Sequence, residues 1–304
     1  MKISVAMATY NGMKFIEKQL DSVRMQFKMP HEVVISDDSS TDGTADFVEE
    51  YIEKHSLFGW RLYRNSENSG FKRNFLSALS KTGGDIVFLC DQDDIWCNDK
   101  TEKMSRIMEE NPHILSLSSS FDFIDEAGEE IQRHSAEKTF NHGLVYGKAD
   151  ENTIVKIALK TVMHSNISPG CTTAIRGELR DAFCLNSNSV LPHDWELNLL
   201  AAAHGGLYFY NEKLSHYRIH SSNTLGLDSA PKGRVEIAKE KLSAAETLCR
   251  YEDFSELLNM QKNRLYALEN KKPLSAVRLF FSSREYARYY SFKERLGDIA
   301  FTLR

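Results

Sequence analysis

The stretch DIVFLCDQDDIW, residues 85–96, decides how this chain is read. Its first half is a short apolar run of the kind that forms a strand buried on both faces. Its second half sets Asp91, Asp93 and Asp94 just ahead of Trp96. Negative charge at the end of a buried strand is costly unless something positive meets it there. The segments before it repeat one plan. ISVAMAT (3–9), EVVISD (32–37) and WRLYRN (60–65) read as strands. FIEKQLDSVRMQ (15–26), the segment after SSTDGT, and FKRNFLSALSKT (71–82) read as helices, the first with Phe15, Ile16, Leu20 and Val23 on one face. Strands alternating with helices predict an α/β fold with a mostly parallel sheet and right-handed crossovers. Ligands bind such sheets beyond the carboxyl ends of the strands. ATYN, SDDSSTD and DQDD would then gather at one rim.

Beyond residue 125 the pattern changes. DEAGEE reads as a turn between short strands, SPGCTTAIR (168–176) as a strand, and PHDWELNLLAAAHGG (192–206) as a helix. LYFYNEKLSHYRIH (207–220) reads as two short strands, and from about residue 232 the chain reads as wholly helical. Residues 1–225 carry 23 Lys/Arg against 32 Asp/Glu; residues 226–304 carry 15 against 11. An acidic body that binds an anion needs a metal or a local cationic patch, and this balance argues against a general nucleic-acid surface. The five cysteines form no CxxC pair, which suits reduced thiols in a cytoplasmic protein. The N-terminus reads as a strand rather than a leader, and no stretch approaches the ~20 apolar residues that span a bilayer.

Several clusters carry chemistry. Two carboxylates two apart at a strand end suit a hard cation, Mg2+ or Mn2+, whose shell is completed by phosphate oxygens; the competing reading is a solvated acidic turn. Asp37 and Asp38 precede the capping residues Ser40, Thr41 and Asp42, and a carboxylate there can accept a nucleobase N–H as well as help a cap. Lys72 and Arg73 sit at a helix start, where cations complement phosphate rather than the dipole. His193 and Asp194 begin a helix beside Trp195; Asp194 is either an N-cap or a general base. Arg218 and His220 lie two apart at a strand end, and His216 reads as structural.

In order, ATYNG, ISDDSSTDGT, NSGFKRNF, CDQDDIW, GCTT, HDWEL and YRIHSSN resemble glycosyltransferase family 2, over about residues 3–224. The likeness is strongest to the bacterial branch labelled rhamnosyltransferases, which build O-antigen, capsule or wall polysaccharide. It implies a GT-A type nucleotide-binding domain over 1–225, a mostly parallel mixed sheet flanked by helices, followed by a C-terminal helical region over 226–304. It implies a nucleotide-sugar pocket lined by Thr9, Tyr10, Asn11 and Asp38, with Lys72 and Arg218 on the phosphates and Asp91 on the ribose or sugar. Asp93 and His220 would ligate Mn2+ or Mg2+. Asp194 would be the catalytic base of an inverting transfer, and Gly170, Cys171, Thr172, His193 and Trp195 would shape the acceptor site. Many family members carry Glu-Asp where this chain has His193-Asp194, which bears on acceptor hydrogen bonding. The processive Q-x-x-R-W motif is absent, so one sugar is added per cycle. The implied donor is dTDP-rhamnose first, with UDP-glucose, UDP-galactose and UDP-GlcNAc as alternatives, and the acceptor is a glycan or a polyprenyl-diphosphate-linked sugar.

Rival readings are a sugar-nucleotide pyrophosphorylase, whose Gly-rich triphosphate loop is missing from VAMATYNGMK (5–14), and a carbohydrate-binding protein, which needs neither base nor metal. The tail interleaves Phe280, Phe281, Tyr286, Tyr289, Tyr290 and Phe292 with Arg278, Arg284, Arg288, Lys293 and Arg295. Such a pattern suits either a peripheral dock on the cytoplasmic face of the inner membrane or packing onto the body or another subunit.

Overall fold

The structure is a computed structural model that describes residues 1–132, 139–187, 190–221 and 232–304. Among these lie strands β1 (Ile3–Thr9), β2 (Glu32–Asp37), β3 (Trp60–Arg64), β4 (Ile86–Cys90), β5 (Ile95–Trp96), β6 (Ser116–Ile124), β7 (Glu130–Ile131), β8 (Thr139–Phe140), β9 (Val145–Tyr146), β10 (Ile154–Lys156), β11 (Thr173–Arg176) and β12 (Leu207–Arg218). The main sheet runs β10-β12-β6-β11-β4-β1-β2-β3, with β5 on β12 and β7 on β6. β3, β2, β1 and β4 are mutually parallel, β12 is parallel to β6, and β11 runs antiparallel between β6 and β4. This is the mixed, mostly parallel α/β sheet of the GT-A type, flanked by helices.

The apolar runs are continuous because both faces of the sheet are covered. Val5, Met7, Val33, Ile35, Phe88 and Cys90 point to one layer, against the helices Ile16–Arg24, Thr44–Lys54 and Lys100–Glu110. Ala6, Val34, Val87 and Leu89 point to the other, against Phe71–Leu79 and His193–Ala203. The face expected on the first helix is buried as Phe15, Ile16, Leu20 and Val23.

One expectation is corrected here. Residues 207–218 form one twelve-residue strand, not two short ones. Its register on β6 shifts between Tyr210 and Lys213 and again between Lys213 and His216, so the break seen in the pattern is bulging within one strand.

The region after residue 232 is helical, as expected: Arg234–Leu248, Ser255–Glu269, Pro273–Ser282, Arg284–Tyr289 and Phe292–Thr302. It does not build a core apart from the sheet. Ala244, Leu248, Leu257, Met260, Tyr286, Tyr289 and Tyr290 belong to the same apolar cluster as Leu197, Leu200 and Phe209. Beneath them Asp298, 2% exposed, accepts from Arg264 Nε at 2.7 Å and from Arg234 and Tyr286. No helix among the described residues is long and apolar enough to cross a membrane.

Candidate active site

β1 is flanked by β2 on one side and β4 on the other, so the strand order reverses there and a crevice opens beyond their carboxyl ends. The Gln92 carboxamide ties the two loops at this crevice. It accepts from Tyr10 N–H at 2.8 Å and donates to Tyr10 C=O at 2.9 Å. A Cβ at residue 12 would run into the Gln92 carboxamide, which is why glycine stands there. Asn11 takes a positive φ of 47° and bridges to the next loop, its N–H donating to Ser40 Oγ and its Oδ1 accepting from Thr41 N–H. Tyr10 is exposed at the rim, whereas Thr9 is buried and donates to Asp37 Oδ2 at 2.8 Å.

Asp38 is 2% exposed. Its carboxylate accepts from Asn65 Nδ2, Ser69 N–H, Ser69 Oγ and Gly70 N–H at 2.8–3.1 Å. Burial pushes its pKa up, but these donors outweigh burial and hold it below the ordinary value. The geometry thus has Asp38 pinning the 65–70 loop to the end of β2. A nucleobase N–H would have to replace one of those donors.

The loop after β4 concentrates negative charge. Asp91, Asp94 and the Cys171 thiol lie within 4.8 Å of one another. Burial, then the charges of Asp94, Asp93 and Asp194, push the Asp91 carboxyl well above its usual range. Burial and Asp93 push Asp94 up to about 7. Asp94 Oδ1 accepts from Arg218 N–H at 2.9 Å, and Oδ2 is buried without a hydrogen-bond partner among the described residues. Asp93 turns the other way, its Oδ2 2.8 Å from His220 Nε2. Carboxylates crowded together in this way fit a hard divalent ion, which takes oxygen ligands. The Cys171 thiol, driven well above its ordinary pKa by burial, does not suit such an ion.

Two cations frame the cluster. Lys100 is fully buried and donates to Cys171 C=O and to Ser215 Oγ at 2.8 Å, with its ammonium 4.1 Å from the Trp96 ring centroid. Burial lowers its pKa to about 8. Arg218 is the second cation. Its side chain has no exposure and is committed to backbone carbonyls: Nε donates to Asp93 at 2.7 Å and Nη1 to Asp125 at 2.7 Å. Its guanidinium also lies 4.8 Å from the Phe15 ring centroid, and the Phe15 and His220 rings meet with centroids 4.9 Å apart. Through these bonds Arg218 holds the acidic loop in shape.

Asp194 opens the helix His193–Ala203. Its Oδ1 accepts from Trp195 N–H at 2.8 Å and its Oδ2 from Asn166 Nδ2 at 2.9 Å. Burial dominates and pushes its pKa up to about 6 against those hydrogen bonds. Its neighbour His193 is buried and stacks on Phe75, ring centroids 3.9 Å apart; burial and then the Lys72 charge push it down to about 3, so the ring is neutral. Lys72 Nζ pairs with Glu196 at 2.7 Å, a carboxylate with no exposure that also accepts from Tyr251 OH.

Most of the residues expected at the acceptor site lie buried around Asp194. Trp195 is a core residue whose indole N–H donates to Val162 C=O at 2.8 Å. Cys171 and Thr172 are fully buried in the 3-10 turn Gly170–Thr172, and Gly170 lies against His193, where an added Cβ would stand 3.0 Å from Nε2.

The sequence profile of glycosyl transferase family 2 matches residues 4–183. The chain belongs to glycosyltransferase family 2. An uncharacterised glycosyltransferase of Nostoc sp. is 26% identical over 234 residues, 73% of this chain and 66% of that protein. The poly(ribitol-phosphate) beta-N-acetylglucosaminyltransferase TarS of Staphylococcus aureus is 41% identical over 105 residues, 34% of this chain and 18% of TarS. The chain thus spans less than two thirds of the length of these relatives. The crystal structure of TarS residues 1–349 with UDP-GlcNAc superposes with a TM-score of 0.62 at 19% identity, covering all of this chain and 82% of that one. The Pyrobaculum calidifontis mannosyltransferase PcManGT, solved with GDP-Man and Mn2+, gives 0.54 at 18% identity, covering 99% and 84%. These likenesses show the fold.

On this family 2 frame Tyr10 and Asn11 meet the loops after β4 and β2, Asp93 meets His220, and Asp91 lies near enough to Asp194 for their charges to interact. Of the motif YRIHSSN, Ser222 and Asn223 lie outside the described residues. Reading the sequence missed three residues that shape the site: Gln92, Lys100 and Asn166. Gln92 stands between Asp91 and Asp93, where the carboxylates dominate the pattern. A lysine four residues after Trp96 carries no burial signal, and Asn166 meets Asp194 across 28 residues of chain.

Proposed function

We propose that this chain is an inverting, metal-dependent glycosyltransferase that moves one sugar from a nucleoside-diphosphate sugar to a glycan or lipid-linked acceptor in bacterial surface polysaccharide synthesis. The observation that carries this reading is Asp194. It is a carboxylate held by two N–H donors, with its pKa raised by burial, on the rim where Asp91 and Asp93 end the neighbouring loop. An acceptor hydroxyl seated against Asp194 gives up its proton to the free lone pairs of that carboxylate as its oxygen attacks the anomeric carbon. The bond from that carbon to the diphosphate breaks on the opposite face, and the leaving group keeps the electron pair. Asp93 and His220 would hold Mn2+ or Mg2+, with Asp91 on the ribose or sugar side, and such an ion would supply positive charge to the departing diphosphate. Arg218 keeps Asp93 in place through its carbonyl. Thr9, Tyr10, Asn11 and Asp38 form the nucleotide side, and Lys72 with Glu196 secures the base helix.

The first-choice donor from the sequence, dTDP-rhamnose, draws no support from the relatives. The likeness to TarS, a beta-N-acetylglucosaminyltransferase solved with UDP-GlcNAc, supports the alternative of a UDP sugar. The test is nucleoside-diphosphate release from UDP-GlcNAc, UDP-glucose, UDP-galactose and dTDP-rhamnose with Mn2+. A UDP sugar is expected to be used, with activity lost in EDTA and restored by Mn2+. Release that is unchanged in EDTA would remove the metal role, and no release from any donor would remove the reading.

For the tail we propose peripheral contact with an anionic bilayer on the cytoplasmic face of the inner membrane. Leu274 (84% exposed) and Phe281 (80%) share one face of the helix Pro273–Ser282 with exposed Arg278. Phe292 (62%) packs beside Phe280, next to exposed Lys293. Exposed apolar anchors among cations favour anionic lipid headgroups. Vesicles containing phosphatidylglycerol should carry the native chain in flotation and lose it in Phe281→Ser/Phe292→Ser; equal flotation of both would end the proposal.

A further inference from the structure

Asp194 and Asn198 stand one turn apart on their helix and share a face. Asn166 is set between them. Its Oδ1 accepts from Asn198 Nδ2 at 2.9 Å, and its Nδ2 donates to Asp194 Oδ2 at 2.9 Å. The backbone fixes which way round this amide lies. Ile167 N–H can only donate, and it meets Oδ1 at 3.0 Å; Ser168 C=O can only accept, and it meets Nδ2 at 2.9 Å. One orientation satisfies both, and that orientation forces an N–H onto Asp194. Asn198, its amide N–H committed to Asn166, keeps Oδ1 for the Ser116 hydroxyl at 3.0 Å. Ser116 and Asn198 have no exposure, so the line of polar groups starts in the core at the first residue of β6 and ends at the carboxylate.

The segment that carries Asn166 is held at other points too. Val162 C=O takes the Trp195 indole N–H. His164 meets Lys241 Nζ at 2.9 Å and Tyr289 C=O at 3.1 Å, both from the C-terminal helices. An amide held this firmly does not swing away when the carboxylate changes its charge.

We propose that Asn166 is a positioning residue for Asp194, and that the line Ser116–Asn198–Asn166 orients the carboxylate and favours its charged form. The proposal rests on the reading of Asp194 as the base. A donor to a carboxylate stabilises the ionised state, so losing it moves titration to higher pH. The groups facing Asp194 are Asp91 from the loop after β4 and the neutral ring of His193; Lys72 is paired with Glu196, and Lys241 and His164 lie beyond Asn166. Backbone N–H groups of Trp195 and Gly170 also serve the carboxylate, and Asn166 is its side-chain donor among the described residues.

Carbon-13 NMR of the full chain labelled at aspartate carboxyls reads this directly, with the Asp194 signal found by its loss in Asp194→Asn. Asn166→Leu is expected to raise the Asp194 midpoint by about one pH unit. The isosteric Asn166→Asp, which puts a second carboxyl against the first, should raise it further and stands in if the leucine variant does not fold. A midpoint unmoved in the folded variant overturns the proposal. In parallel, kcat/KM for UDP-GlcNAc with Mn2+ should show its acid limb displaced in the same direction. A rate lowered equally at every pH, with the limb unmoved, marks a merely structural residue. If the native chain releases no nucleoside diphosphate, the base reading itself fails, and the NMR shift is then judged apart from it.

Discussion

Asp194 must be ionised to take a proton. With its pKa raised to about 6, the charged form is scarce below pH 6 and dominant above it. We expect kcat/KM to climb with pH through about 6 and then level. Asp194→Asn should lower turnover by about 10²–10⁴-fold and abolish that limb while leaving nucleotide binding in place; a pH series with native and variant protein checks both. Lys100 poses a different problem. Its buried ammonium acts on the Asp94 charge and is the donor for Cys171 C=O and Ser215 Oγ. Lys100→Met fits the space but leaves those acceptors and carboxylates unserved. A loss of about 3 kcal/mol in denaturant unfolding is expected.

At the scale of elements, the clamp between the β1 and β4 loops is the sensitive joint. Gly12→Ala pushes a methyl into the Gln92 carboxamide that binds both polar groups of the Tyr10 backbone. Nucleotide affinity should fall about tenfold by calorimetry, with a stability cost of about 1–3 kcal/mol for the misfit. Much of this layer was legible in the sequence. β1 to β4 fall within one residue of the expected strands, because apolar runs buried on both faces leave little choice. The acidic loop and the helix His193–Ala203 were legible for the same reason: polar residues at strand and helix ends stand out against such runs. What was not legible is pairing across the fold. Asp37 and Asp38 look alike in sequence, yet one serves Thr9 and Ser40 and the other a loop thirty residues away. Arg218 and His220 sit two apart on one strand end, yet one is sunk among carbonyls and the other meets a carboxylate.

At the scale of the molecule, the tail divides its aromatics. Tyr286, Tyr289 and Tyr290 are buried with the body, while Phe281 and Phe292 stay exposed. Residue type alone does not make this split, since tyrosine hydroxyls here find buried partners: Asp298 for Tyr286 and Gln261 for Tyr290. Asp298→Ala removes the acceptor shared by Arg264, Arg234 and Tyr286 and strands the buried Arg264. The expected loss is about 3–5 kcal/mol in chemical unfolding, felt by the whole chain rather than by the tail alone.

The shared apolar interior also bears on how enzymes of this kind can be recombined. Because the helix Arg234–Leu248 packs on His193–Ala203 and shares one apolar cluster with the tail tyrosines, the tail is no detachable cassette. A chimaera that grafts another protein's C-terminal helices here would have to import the facing side chains along His193–Ala203 as well, and so would carry the donor's surroundings of the proton acceptor with them.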